Sequence, residues 1–193
     1  MTRTPSHRLA TPRQREVFTT LLDTFLSEGL EWFTVDAAAS RLHCSKSTLY
    51  TLGSTGDDIV RRVLVTFFKE VTRRTERALD VHSDPLNSLL AYFSAMGIAM
   101  EPASPKFIQD ATRVPAARAV YDTNTAAATA TITALVRAGV ESGQFRAAPV
   151  TFVADLISAS MRHIQQGPAG GLTASRAYAE LGRLIVDGLA TDH

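Results

Sequence analysis

The sequence predicts an all-α fold: an amino-terminal three-helix helix-turn-helix unit followed by a larger helical domain. Two observations carry this. Apolar residues recur at spacings of three and four, the period of a helix face, while the period-two alternation of a strand is nearly absent. Proline, glycine and capping residues punctuate the chain at helix-length intervals. With 193 residues, 45% of them hydrophobic and 20% charged, the chain can bury a substantial core and lies outside the polar, highly charged range of disordered proteins.

Each element follows from local signals. Thr11-Pro12-Arg13-Gln14 combines a cap, a proline at the first helical position and a glutamine three after the cap, which together satisfy the free amides of a helix start. The apolar stripe Val17, Leu21, Leu22, Phe25 and Leu26 then runs to Gly29, a residue able to take the left-handed conformation that ends helices, so residues 12–28 form the first helix. Thr34 caps a short helix over 35–42, and after His43-Cys44 a second cap, Ser45, opens another short helix to about residue 52. Thr55 and Asp58 are spaced as a capping box, with Asp57 and Asp58 suited to the positive end of a long helix reaching about residue 81. Further starts lie at Asp84-Pro85, Ser104-Pro105, Val114-Pro115 and Ala148-Pro149, since proline fits a first turn and breaks an interior. The stretch Gly167-Pro168-Ala169-Gly170-Gly171 is a loop that separates a helix over 149–165 from a last helix over 173–190.

Composition excludes several functions. Lys+Arg number 20 against 19 Asp+Glu, a net charge of +1, so the chain is no polycation and any binding of nucleic acid depends on where its charges sit. Positive charge concentrates at the amino end in Arg3, Arg8, Arg13 and Arg15. One cysteine allows no internal disulfide, the opening residues lack the apolar core of a signal peptide, and no apolar stretch approaches membrane-spanning length, which points to a cytoplasmic protein without membrane attachment. The five histidines, 7, 43, 82, 163 and 193, are scattered without ligands at zinc-site spacing, so no metal is expected. No phosphate-binding glycine loop, HExxH or GxSxG motif is present, and neither an enzymatic activity nor a cofactor is expected.

A short helix, a tight turn and a second short helix let one helix enter the major groove while the other braces across the backbone. Ser45, Lys46, Ser47 and Thr48 place donors at the start of the second short helix, where free amides also attract phosphate. The run Glu28-Gly29-Leu30, Thr34-Val35, Ala39, Ser45-Lys46-Ser47-Thr48-Leu49-Tyr50 and Asp58-Ile59-Val60 resembles the TetR family of bacterial transcriptional regulators over residues 13–64. The resemblance implies a homodimer that binds double-stranded DNA at a palindromic operator. It implies DNA contacts from Thr34, Ser45, Lys46, Ser47, Thr48 and Tyr50, with Leu49 facing inward. It divides the chain into a DNA-binding domain over 1–55, including the basic arm, and an effector-binding and dimerisation domain over 56–193. Three positions depart from the family pattern: Gly53 replaces an apolar or aromatic residue, Gly56 a lysine, and His43 a glycine in a turn that needs positive φ. The backbone amides near Thr55 to Asp57, with Arg61 or Arg62, are the candidates to replace the missing lysine's phosphate contact.

In the second domain, Leu89, Phe93, Met96 and Met100 share one helix face, as do Phe67, Phe68 and Val71. Such stripes make either a plain core or, as the resemblance implies, the walls of a cavity for a small hydrophobic effector. The candidate wall comprises Phe67, Phe68, Phe93, Met96, Met100, Phe107, Tyr121, Asn124, Phe152 and Met161. The last helix presents Leu181, Leu184, Ile185 and Gly188, and the helix before it Phe152, Leu156 and Ala159. In the family these two helices pair with their copies as a four-helix bundle; the alternative is packing within one chain. Cys44 is expected to be a core thiol. The function expected is that of a ligand-responsive repressor, released from DNA by its effector. The alternative is a helical ligand-binding or scaffolding protein whose DNA site has decayed.

Overall fold

The computed structural model describes residues 11–79, 84–167 and 169–191. Arg3, Arg8, His7, His82 and His193, and the end of the long helix beyond residue 79, lie outside the described residues. Among the described residues there are nine helices and no strand: α1 (Pro12–Glu28), α2 (Val35–Arg41), α3 (Lys46–Tyr50), α4 (Gly56–Leu79), α5 (Pro85–Met100), α6 (Pro105–Arg113), α7 (Pro115–Glu141), α8 (Val150–Gln165) and α9 (Ala174–Leu189). None of these helices is long and apolar enough to cross a membrane.

The helix starts follow their local chemistry. Thr11 and Gln14 form a reciprocal capping box, while Asp84, Ser104 and Thr173 each accept the amide three residues on. The Thr55 hydroxyl likewise accepts the Asp58 amide at 3.1 Å. The short helix α3 ends two residues before the expected position because Thr51 and Leu52 already turn away, and their carbonyls accept the Arg62 guanidinium.

Helices α1 to α3 enclose a small core of Leu21, Phe25, Ala38 and Leu49, all fully buried, which Ile59 and Val63 of α4 complete. The far half of α4 packs against α5 and α7, and α6 bridges back to α1. The helices α5 and α9 lie closest of all: a Cβ at Gly97 would stand 3.0 Å from the Ser175 backbone, and one at Gly182 would stand 3.0 Å from Phe93. Gly53 is required by a similar approach, since a Cβ there would sit 2.6 Å from the Ile59 amide nitrogen. The tight turn between α3 and α4 therefore has no room for the usual bulky residue, and Leu52, 2% exposed, fills the core beside it.

Candidate nucleic-acid interface and ligand cavity

The expected DNA-contacting side chains gather on one exposed end of the molecule. Thr34 and Ser45 cap α2 and α3, accepting the amides of Ala37 and Thr48 at 3.1 Å. The Ser45 hydroxyl also lies 2.7 Å from that of Ser47 and 2.9 Å from that of Thr48, so three hydroxyls form one preorganised cluster. Leu49 is fully buried and anchors α3, while Tyr50 projects with about half its surface exposed. Lys46 is ion-paired with Asp36 of α2, and hydrogen bonding to that carboxylate raises the lysine pKa. A phosphate approaching Lys46 therefore meets a cation that already has a partner.

Two arginines have structural roles that the sequence did not reveal. Arg13, expected to add to an exposed basic arm, donates to the Leu42 and His43 carbonyls at 3.3 and 3.0 Å and so fastens the turn between α2 and α3. Arg62, a candidate phosphate ligand, donates to Leu52 O at 3.0 Å and lies over the Phe18 ring, which ties α4 to α3 and α1. Arg61 pairs with Asp58 at 2.8 Å. His43 has φ of 46°, the left-handed conformation expected of that turn. Cys44 is half-buried against the core, and burial raises its pKa, contrary to a reactive thiolate.

A buried carboxylate joins the two halves. Asp110 of α6 is fully buried, and its Oδ2 accepts the amides of Leu30 at 2.7 Å and Glu31 at 3.2 Å, while Oδ1 accepts Lys106 Nζ at 2.6 Å. Lys106 also pairs with Glu31. Gly29, with φ of 86°, makes this approach possible, because a Cβ there would collide with Oδ2. The bonds span 80 and 79 positions, so no local pattern signals them; the one hint is a carboxylate on the apolar face of α6 between Phe107 and Ala111.

A cavity of about 170 Å3 opens between α4, α5, α7 and α8. Of the expected wall residues, Phe68, Met96, Met100, Tyr121, Asn124 and Met161 line it. Phe67, Phe93 and Phe107 instead close the core behind it, with Phe67 packed edge-on to Phe107 at 5.5 Å. Phe152 is 65% exposed and is not among the residues lining this cavity, because α8 carries two apolar faces and the buried one is Val153, Ile157 and Met161. Further polar lining comes from Tyr92, Thr75, Ser158 and Gln165, which the apolar stripes passed over. A chain of hydrogen bonds crosses one wall: Tyr121 donates to Gln165 Oε1 at 2.8 Å, and Gln165 Nε2 donates to the Tyr178 hydroxyl at 2.8 Å. Burial raises the pKa of both phenols and keeps them neutral. A glutamine one turn after Met161, on the buried side of α8, was the available signal.

The expected dimer residues form an open apolar surface. Phe152 and Leu156 on α8 and Leu184 on α9 are 65%, 51% and 70% exposed, Leu181 and Ile185 are half-buried beside them, and Gly188 is exposed. Among the described residues no group of His, Cys, Asp and Glu is placed to hold a metal ion.

Comparison with solved structures identifies the architecture. The TetR-family transcriptional regulator PfmR from Thermus thermophilus aligns with a TM-score of 0.73 at 22% identity, covering 91% of this chain and 99% of that one. A regulatory protein of the same family from Rhodococcus RHA1 aligns at 0.75 and 13% identity, covering 95% and 100%. A transcriptional regulator from Saccharomonospora viridis, solved in complex with choline, aligns at 0.75 and 17% identity, covering 93% and 98%. No family model and no curated protein matches the sequence. The fold is that of the TetR-family transcriptional regulators over nearly the whole chain.

Proposed function

We propose that this chain is a ligand-responsive transcriptional regulator of the TetR type. As a cytoplasmic homodimer it represses transcription at a palindromic operator and leaves the DNA when a small hydrophobic effector fills the cavity. Residues 1–55 bind DNA and 56–193 bind effector and partner. The observation that carries this reading is the position of α4: Ile59 and Val63 are buried beneath α1 to α3, while Phe68, Val71 and Thr75 of the same helix line the cavity. A ligand that prefers one setting of α4 therefore changes the setting of the reading helices, and by linkage DNA and ligand weaken each other.

The exposed hydroxyl cluster of Ser45, Ser47 and Thr48, with Thr34, Lys46 and Tyr50 around it, supports contact with DNA phosphates and base edges. The open stripe of Phe152, Leu156 and Leu184 supports a two-fold bundle, which also sets two reading helices at the spacing of successive major grooves. The choline complex of the Saccharomonospora viridis regulator supports small-molecule binding by this fold.

Selection of genomic fragments by the purified protein tests the reading. It requires enrichment of a palindrome whose affinity falls with salt, together with weaker binding of the cavity ligand when that fragment is present. A second reading, a ligand-binding or scaffolding protein with a decayed DNA site, is favoured by the pairing of Lys46 with Asp36 and by Gly56. A folded dimer that enriches no sequence decides for it.

A further inference from the structure

The cavity's polar groups divide into those with protein partners and those without. Tyr121 and Gln165 are bonded to each other, with Tyr178 behind them as the partner of Gln165, and the Ser158 and Thr129 hydroxyls lie 3.0 Å apart. Tyr92 differs. It is 3% exposed and lines the cavity, and no hydrogen bond to its hydroxyl is made among the described residues. Burial raises its pKa, so the phenol stays protonated and presents a donor. A cavity hydroxyl that no protein group occupies is available to donate to a ligand oxygen placed there.

The mouth has the opposite chemistry. Arg162 lines both the cavity and an outer groove along α7, where Arg137 joins it. Neither guanidinium has an ion-pair partner among the described residues. The one carboxylate in that groove, Asp122, is 3.5 Å from Arg118. Among the described lining residues the acids are Glu76 of the cavity and Asp122 of the groove, so with Asp122 held by Arg118, Arg137 and Arg162 outnumber the one remaining acid. The volume of about 170 Å3 sets the size. An apolar cavity of about 150 Å3 takes a single benzene ring, so the body of the ligand is one ring or an equivalent short chain.

We infer that the ligand is a small monocarboxylic acid with an apolar body, its carboxylate on Arg162 at the mouth and an oxygen at its far end hydrogen-bonded to Tyr92. This rests on the regulatory reading only for its biological consequence, since the binding itself needs no DNA. Three isosteric probes test it by calorimetry on the full chain without DNA: 3-phenylpropanoate, its primary amide and 3-phenylpropylamine, with 3-(4-hydroxyphenyl)propanoate as the oxygen-bearing acid.

The acid should bind about tenfold more tightly than the amide, the contribution of a charge-assisted hydrogen bond. Arg162→Gln, at an exposed position and with its fold checked by circular dichroism, should bring the acid and the amide to nearly equal affinity. Tyr92→Phe should weaken the hydroxyl-bearing acid about fivefold while leaving the plain acid unchanged. Equal binding of acid and amide by the wild type overturns the assignment, and so does tightest binding of the amine with loss on Glu76→Gln. Binding of the acid without any effect on DNA instead leaves the assignment standing and removes the regulatory reading.

Discussion

Removing the Asp110 carboxylate tests whether the two halves of the molecule are joined by hydrogen bonds to backbone or by charge. In Asp110→Ala the buried amide of Leu30 and the part-buried amide of Glu31 lose their acceptor, and Lys106 keeps only Glu31. Two orphaned amides at roughly 1–3 kcal/mol each, offset by the removal of a buried charge, give a loss of about 3 kcal/mol. Asp110→Asn separates the contributions. Both amides bond to Oδ2, so an asparagine oxygen in that place keeps them, while its NH2 faces Lys106 where Oδ1 stood. That variant should lose only about 1 kcal/mol. Urea unfolding followed by the single tryptophan, Trp32, reads both, since Trp32 lies one residue beyond Glu31 in the clamped loop. Equal losses in the two variants would show that the charge matters and the amides do not, and refute the clamp as described.

Tyr50→Phe should weaken operator binding by about 0.5–1.5 kcal/mol, the value of one phosphate hydrogen bond, in a salt-controlled titration; an unfolded variant would place the tyrosine in the core instead. Gly56→Lys should raise DNA affinity and steepen its salt dependence by about 0.9 in the log–log slope. A Cβ at Gly56 meets nothing nearer than Phe33 at 3.7 Å, so thermal stability should be unchanged. His43→Gly relieves left-handed backbone strain of about 1–2 kcal/mol against an entropic cost of about 0.5–1 kcal/mol, so urea unfolding should show a gain of about 0.5–1 kcal/mol. Leu184→Glu should yield a folded monomer by light scattering, because a two-fold interface receives each new charge twice.

The helix starts were legible because a cap is a local event. Thr11, Asp84, Ser104 and Thr173 bond to amides three residues away, and proline fixes its own φ wherever it falls. The turn at His43 was legible for the same reason. Periodicity identifies a face but not what it faces, which is why the apolar pattern assigns Phe152 to both the cavity wall and the dimer stripe. Phe93 and Phe107 have the right spacing for a cavity wall, yet side-chain volumes from α4, α5, α6 and α9 decide which rings close the core and which border the void. The roles of Arg13, Arg62 and Asp110 lay beyond the sequence altogether. Their partners are carbonyls and amides, groups that every residue carries, and nothing in the side-chain pattern marks which of them a charged group will reach.

The close seating of α5 on α9 has a mechanical consequence. Gly97 and Gly182 bring the two helices together with no slack, and α9 also carries Leu184 and Ile185 of the open apolar stripe. Were α5 to recede from an expanding cavity, it would have to drive Phe93 into the α9 backbone at Gly182. Tyr92, Met96 and Met100 thus form an anvil, stationary with respect to the twofold axis that α9 would help build. If the proposed effector binds, its pressure would fall instead on α4 and α7, whose cavity-facing Thr75 and Thr129 present small side chains. On the proposed reading the displacement would then be carried by α4, the helix whose Ile59 and Val63 are buried beneath α1 to α3.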